Sequence, residues 1–497
     1  MKKIKINRLI KVLPQILLLC AFASCSTIQS QDNSETVTWL DSSVPSLYQT
    51  YKDQFDYIGI AAEYGNFGLK KDGSNKYTAN YTQSGWGNPS ELYYKEIRNG
   101  IAKHANSITL GNELKPQFVL AWWSIGNGAK QSMTDFTASN GKTIKVPSYL
   151  NNEQLIYATL NAAKDAGVKM RGHVLTWHSQ TPDDFFAENY SAKYDGELLS
   201  NIVDKETMTA RHEWYIKSVL ECVSEWEKAN GYGEGNHLIW VWDVVNEAAA
   251  DDAGQIYSGS SANFLRGSTD GTRDKAPGNG GSRWYQIYGS DEFIVNAFRF
   301  ANAYAPSDVK LCYNDYNEYM GTKTPAICQI VKDIQNGEEQ TVNGKSVKPR
   351  IDVVGMQSHL GTSWPGTTAY ESAIKKFLAL GCDIHVSEMD FSATNRSDAV
   401  KAYKDYFTLF QKYGNSYSGS NKIECVTVWG LNDENSWINP SNGKKTYPLL
   451  FNLIDNVSKS TKSANYKTGT EQLPLYDVGD SYTPNESFWA VINAHKE

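Results

Sequence analysis

Eight short apolar runs recur along this chain with helix-like segments between them, and that alternation narrows the available folds more than any other feature. The runs cover residues 57–61, 107–110, 169–175, 238–245, 310–314, 351–356, 383–387 and 424–429. Most are near-continuous in apolar and β-branched residues, as strands buried on both faces are. Between them, Leu155, Ala158, Ala162 and Ala166 form a helical stripe that stops at Gly167. Residues 207–229 are amphipathic up to Gly231, and 293–304 end before Pro306. Thr324-Pro325 reads as a cap followed by proline at the first helical position, and 373–380 and 399–413 run to Gly381 and Gly414. This order predicts an α/β fold, the (β/α)8 TIM barrel with loop insertions. The insertions are polar, glycine-rich segments near 126–145, 257–282, 337–348 and 456–471. All but 337–348 follow strands, which places them on the rim where βα loops line active sites.

The first residues belong to no barrel. Lys2, Lys3, Lys5, Arg8 and Lys11 precede an apolar stretch, 12–23, that is short for a bilayer span. Phe22-Ala23-Ser24-Cys25 then resembles the lipobox of bacterial lipoproteins, in which the signal is cut before a cysteine that becomes lipidated. The expectation is a signal peptide over 1–24, lipidation of Cys25, a polar tether over 25–45 and a catalytic domain over 46–497. Cys20 is a weaker site for the lipid, and ordinary secretory cleavage is the alternative. The product would be exported and lipid-anchored at the outer membrane or cell surface of a bacterium, otherwise periplasmic or secreted. Five cysteines remain, Cys222, Cys312, Cys328, Cys382 and Cys425, without metal-like spacing. Neither a metal site nor a disulfide scaffold is expected, and no cofactor. A net charge of −7 disfavours nucleic acid as a partner.

Two of the strand-like runs end in glutamates about 140 positions apart. One reads Ile239-Trp240-Val241-Trp242-Asp243-Val244-Val245-Asn246-Glu247, the other Cys382-Asp383-Ile384-His385-Val386-Ser387-Glu388. A parallel barrel strand delivers such a residue to the C-terminal face, where these barrels hold their active sites. Two carboxylates converging there suit cleavage of a glycosidic bond, one as proton donor and one ionised. The bland reading makes both surface acids. Asn246 is positioned for a sugar hydroxyl beside the reacting carbon. Gln357 and His359 end another strand at the same rim. His359 is expected to keep Glu388 ionised by donating a hydrogen bond, and Asp390 to orient His359.

The motifs together resemble family 10 of the glycoside hydrolases, the endo-β-1,4-xylanases. They are Arg171-Gly172-His173-Val174-Leu175-Thr176-Trp177-His178-Ser179-Gln180; Trp242 to Glu247 with Asp251; Asn314-Asp315-Tyr316-Asn317; Gln357-Ser358-His359-Leu360; Ser387-Glu388-Met389-Asp390; and Val428-Trp429-Gly430 with Asp433, Ser436 and Trp437. The resemblance implies a retaining endo-xylanase that cleaves internal bonds of xylan or xylo-oligosaccharides, with Glu247 as acid/base and Glu388 as nucleophile. It implies that Asn246 and Gln357 contact the reacting sugar and His359 the nucleophile. His173, Trp177 and Gln180 would line the non-reducing side, and Asn112 and Lys115 would bind substrate. Trp429 would stack beneath the sugars and Trp437 would crowd the place of a hydroxymethyl group, favouring xylose. His178, Asp315 and Asp390 would support these residues. A monomer is expected, touching membrane only through its lipid. A related β-1,4-glycanase and a non-catalytic surface glycan-binding lipoprotein are the competing readings.

One motif departs from the family pattern. Gly111-Asn112-Glu113-Leu114-Lys115 keeps the asparagine and lysine, but glycine stands where the family carries a glutamate that bonds the second sugar. Glu113 reaches that place only from a shifted backbone. Asp184 likewise stands where an aromatic residue is more common. Both departures point to a remodelled cleft, suited to a decorated or unusual xylan.

Overall fold

The computed structural model describes residues 37–63, 70–71, 77–78, 91–120, 133–148, 150, 153–251, 264–268, 272, 274–440, 444–454 and 481–495. Residues 1–24, with Cys20, lie outside these, as do Cys25 and the segment 456–471. Eight parallel strands form the centre: β1 (Tyr57–Ala62), β2 (Ser107–Leu110), β3 (Lys169–Trp177), β4 (Ile239–Asn246), β5 (Lys310–Asp315), β6 (Val353–Met356), β7 (Asp383–Ser392) and β8 (Ile423–Val428). Each pairs with its neighbours in chain order. Tyr57 of β1 lies opposite Cys425 of β8, and the sheet closes on itself as a barrel. All eight predicted strands are present. β6 starts two residues later than its apolar run, because Ile351 and Asp352 precede the ladder.

A helix of nine residues or more follows each strand, with shorter helical turns in some of the connections: α1 (Lys95–His104), α2 (Glu153–Ala166), α3 (Lys205–Ala229), α4 (Glu292–Tyr304), α5 (Lys323–Asn336), α6 (Thr367–Leu378), α7 (Arg396–Gln411) and α8 (Glu486–Ala494). Their apolar stripes meet the outward side chains of the strands in one continuous core, which includes Ile97, Leu160, Val219, Phe298, Ile327, Phe377, Phe410 and Val491. Asp204 and Asn395 cap α3 and α7 by accepting backbone N–H groups of Thr207 and Asp398. Two corrections concern helices. α1 and α8 answer to no stripe singled out in the sequence. α5 begins at Lys323, so Thr324 lies inside it; its hydroxyl donates to the carbonyls of Glu318 and Met320.

A polar chain runs through the barrel interior. The guanidinium of Arg171 on β3 donates to the carboxylate of Asp243 on β4 and meets His385 on β7. β3 and β7 are not neighbours in the sheet, so that contact crosses the barrel. His385 pairs with Glu424 on β8 at 2.8 Å, and Glu424 with Lys310 on β5 at 2.7 Å. The close crossing of β3 and β4 depends on Gly172: a Cβ there would lie 2.4 Å from the indole of Trp242.

The segment 126–145 does not stay on the rim in its described part. Residues Met133–Thr137 and Thr143–Pro147 form a hairpin around Asn140 and Gly141, the glycine at φ 82°. Ile144 and Val146 are buried, and Ser139 donates to Glu213 on α3 and accepts from the backbone of Asn343 in the 337–348 insertion. The hairpin is drawn away by this apolar edge and lies along the outer helices. The described part of 257–282 does return to the rim, through Arg266.

Candidate active site

Glu247 follows the last residue of β4. Its φ of 56° lies in the left-handed region, a turn that ends the strand and frees the side chain from the pleat. Its backbone N–H still bonds the carbonyl of Asn314 on β5, so the turn is anchored to the barrel. One carboxyl oxygen accepts from the indole N–H of Trp177 at 2.9 Å. The other accepts from the amides of Gln357 at 2.9 Å and Asn246 at 3.1 Å. Burial raises the Glu247 pKa above the usual carboxylate value; the Gln357 hydrogen bond opposes this, and the negative charges of Asp315 and Glu388 add to it.

Glu388 stands buried on β7 and enters the same cluster from the facing side. The amide of Asn314 donates to Glu388 at 2.7 Å and to Asn246 Oδ1 at 2.9 Å. Two amides therefore join the two carboxyls, Asn246 touching Glu247 and Asn314 touching Glu388. Burial would raise the Glu388 pKa, but the His359 hydrogen bond, at 3.3 Å, and the fields of His173 and His359 outweigh it and hold the group below its ordinary value. Burial likewise works against a charged His359. Asp390, 2.8 Å from Nδ1, and Glu388 more than compensate, so its pKa is well above that of a free imidazole. The second oxygen of Asp390 accepts from Trp437 Nε1 at 2.8 Å. This bond tethers an indole that is otherwise 61% exposed.

The remaining expected residues fall around this pair. His173 is buried and bonds Asp243 at 2.9 Å, which links the site to the interior ion chain. The Trp429 ring lies edge-on to His173 and His359, at centroid distances of 5.7 and 6.4 Å. Lys115 donates to Gln180 at 2.9 Å and Asn112 at 3.2 Å, and lies 5.0 Å over the Trp177 ring. His178 is buried behind Glu247 and hydrogen-bonded to its backbone; burial, then Arg266 and Lys323, push its pKa well down. Asp315 is buried, paired with Lys323 at 2.9 Å, and accepts from Tyr313 at 2.6 Å. Trp177 was expected only to line the cleft; it is also a direct hydrogen-bond donor to Glu247.

Three residues were not singled out from sequence. Asn314 bridges the site, and its own amide oxygen accepts from Ser387 at 2.6 Å. Only glycine fits beside it on β6: a Cβ at Gly355 would lie 2.2 Å from Asn314 Oδ1. Arg266 donates to the carbonyl of Glu247 at 3.2 Å and to both oxygens of Asp251 at 3.1 Å. Glu63 follows β1 and accepts from Asn112 Nδ2 at 2.8 Å. The sequence carried a signal for Glu63, an apolar run closed by a glutamate, the same signature that marks Glu247. Glu113, by contrast, is buried and accepts from the backbone N–H of Asn112.

The family model for glycosyl hydrolase family 10 matches residues 46–465. Endo-1,4-beta-xylanase Y of Acetivibrio thermocellus is 33% identical over 405 residues, 80% of this chain and 32% of that protein. Endo-1,4-beta-xylanase A of Butyrivibrio fibrisolvens is 29% identical over 401 residues, 78% of this chain and 81% of the relative. The chain thus spans about a third of the length of the first-named relative. Among solved structures, the CBM22-1–GH10 modules of Clostridium thermocellum endo-1,4-beta-D-xylanase 10B, complexed with xylohexaose, superpose with a TM-score of 0.61 at 27% identity. The match covers 90% of this chain and 67% of that one.

Proposed function

The chain belongs to glycosyl hydrolase family 10, and from that premise we propose that it is a retaining endo-1,4-β-xylanase acting on internal bonds of xylan. The observation that carries this reading is the convergence of Glu247 and Glu388 on one network of amides, Asn246 and Gln357 at Glu247 and Asn314 at Glu388, and the surroundings push the Glu247 pKa up and the Glu388 pKa down. Glu388, ionised, attacks the anomeric carbon of the bound xylose. Glu247 gives its proton to the departing oxygen. The resulting ester removes the negative charge of Glu388, which is one of the causes holding the Glu247 pKa up. Glu247 then becomes the stronger acid and, once ionised, serves as base for the incoming water. Asn246 holds the 2-hydroxyl of the reacting sugar and Trp437 closes the space that glucose would need.

The test is product analysis on xylan, β-glucan and mannan, with the anomer followed by NMR during the first turnovers. New reducing ends from xylan with an initial β-anomer are expected. Glu388→Ala and Glu247→Ala should each lose about 10²–10⁴-fold in kcat. An initial α-anomer, or normal turnover in either variant, would refute the assignment. We further propose export and lipid anchorage at Cys25, supported by the basic and apolar residues before it. Fatty-acid labelling that persists in Cys25→Ala would count against the anchor.

A further inference from the structure

We propose that Glu318, in the loop between β5 and α5, is the positioning residue that holds the Gln357-Ser358-His359 turn against both catalytic glutamates. The inference rests on the xylanase reading above. The loop turns at Asn317, whose φ is 54°, and the Thr324 hydroxyl of α5 donates to the Glu318 carbonyl at 2.6 Å. The Glu318 side chain is buried against the end of β6. One of its carboxyl oxygens accepts from the backbone N–H of Ser358 at 3.1 Å and from the Ser358 hydroxyl at 3.3 Å.

Ser358 is the middle residue of the turn. Its φ of 65° lies in the left-handed region, which a non-glycine residue keeps only where its surroundings hold it there. Its two neighbours reach the two carboxyls: Gln357 donates to Glu247 at 2.9 Å, and His359 lies 3.3 Å from Glu388. The flanking backbone is tied to β5 and β7, by the Gln357 N–H on the Asp315 carbonyl at 2.9 Å and the Glu388 N–H on the Gln357 carbonyl at 3.0 Å. Glu318 supplies the acceptor for the Ser358 N–H. Releasing that bond lets Ser358 relax, and the amide and the imidazole turn away from their carboxyls together. Burial raises the Glu318 pKa from 4.5 to about 7. At acidic pH, where Glu388 is already ionised, Glu318 therefore keeps its proton and offers an acceptor without adding a negative charge near the pair. The titratable groups around it are Asp315, paired with Lys323 of α5 at 2.9 Å, His359, Tyr319, and Tyr370 and Tyr406 of α6 and α7.

The experiment compares kcat, and kcat/KM against pH, on 4-nitrophenyl β-xylobioside for the parent chain, Glu318→Gln, Glu318→Met and Glu318→Leu. Gln keeps an oxygen acceptor, whereas Met and Leu have none. None of the three side chains ionises, so comparing them isolates the hydrogen bond. Glu318→Gln should keep the parent's kcat and its acidic limb. Glu318→Met and Glu318→Leu should lose about 10- to 100-fold in kcat, the effect of a small misplacement around the reacting centre. Both limbs of their profiles should move to higher pH relative to Glu318→Gln. The Gln357 bond lowers the Glu247 pKa and the His359 bond lowers that of Glu388, so losing them raises both. Limb positions do not depend on the folded fraction, and a purely structural residue would leave them in place. Limbs that stay fixed in the Met and Leu variants, or an acidic limb that moves as far in Glu318→Gln, overturn the positioning role. Failure of the Met and Leu variants to fold overturns it too, since Glu318 would then serve stability alone. Failure of the parent chain to cleave xylan would instead refute the proposed function itself.

Discussion

At the scale of single residues, the site depends on keeping two glutamates in different protonation states inside one cluster. Desolvation acts on both in the same direction, so it cannot separate them. The separation comes from partners: neutral amides and an indole around Glu247, an imidazolium beside Glu388. His359 owes its charge to Asp390, and Asp390 is fixed by Trp437. Replacing His359 by Asn removes the positive charge and one donor, so the Glu388 pKa must rise. Because Glu388 has to be ionised to attack, the acidic limb of the kcat/KM profile should move to higher pH in His359→Asn. Asp390→Asn should move it the same way by a smaller amount, since the imidazole survives with less charge. A pH–rate series on the three proteins reads this directly. An acidic limb that stays fixed would mean that Glu388 is held down by other groups.

At the scale of elements, strand ends were the most legible part of the sequence. An apolar run that stops at a carboxylate, amide or imidazole marks a barrel strand and its exposed tip together, and Glu247, Gln357, His359 and Glu388 were found that way. Helices α1 and α8 were less visible, because each depends on neighbours more than on its own pattern. Asn314 was quoted only as part of a motif, since nothing in one sequence says that its amide will meet residues of β4 and β7 at once. The space for it is provided by Gly355 on β6. Gly355→Ala would drive a methyl group into Asn314 Oδ1 and push the amide away from Glu388 and Asn246. The expected cost is about 1–3 kcal/mol of stability from overpacking. A loss of kcat at temperatures where the variant is fully folded should accompany it. Thermal melts paired with kinetics separate the two effects, and full activity in the folded variant would show that Asn314 has another way to accommodate the methyl.

At the scale of the whole molecule, the barrel is held by ionisable groups whose partners sit on distant strands, and this was the part the sequence hid. Arg171, His385 and Glu424 read as ordinary strand residues because the contacts of Arg171 with His385 and of Glu424 with Lys310 cross the barrel. The same feature makes stability depend on pH in opposing directions. Burial depresses His385 to about 4, so the native state holds fewer protons than the unfolded chain, and stability falls as pH drops through 6.5 towards 4. Glu318 acts the other way. It is buried behind the β6 turn, accepts from the backbone N–H of Ser358 at 3.1 Å, and burial raises its pKa from 4.5 to about 7. The native state therefore binds its proton more tightly than the unfolded chain does. Its contribution is fully present below pH 4.5 and is lost as pH rises through about 7. Glu318→Gln keeps the shape and the acceptor for Ser358 but cannot ionise. Relative to the parent, the variant should gain about 1–3 kcal/mol between pH 4.5 and 8. His385 is present in both proteins and cancels from that difference. Urea unfolding of parent and variant across this range measures it, and a difference that stays flat with pH would place the Glu318 proton outside the folding equilibrium.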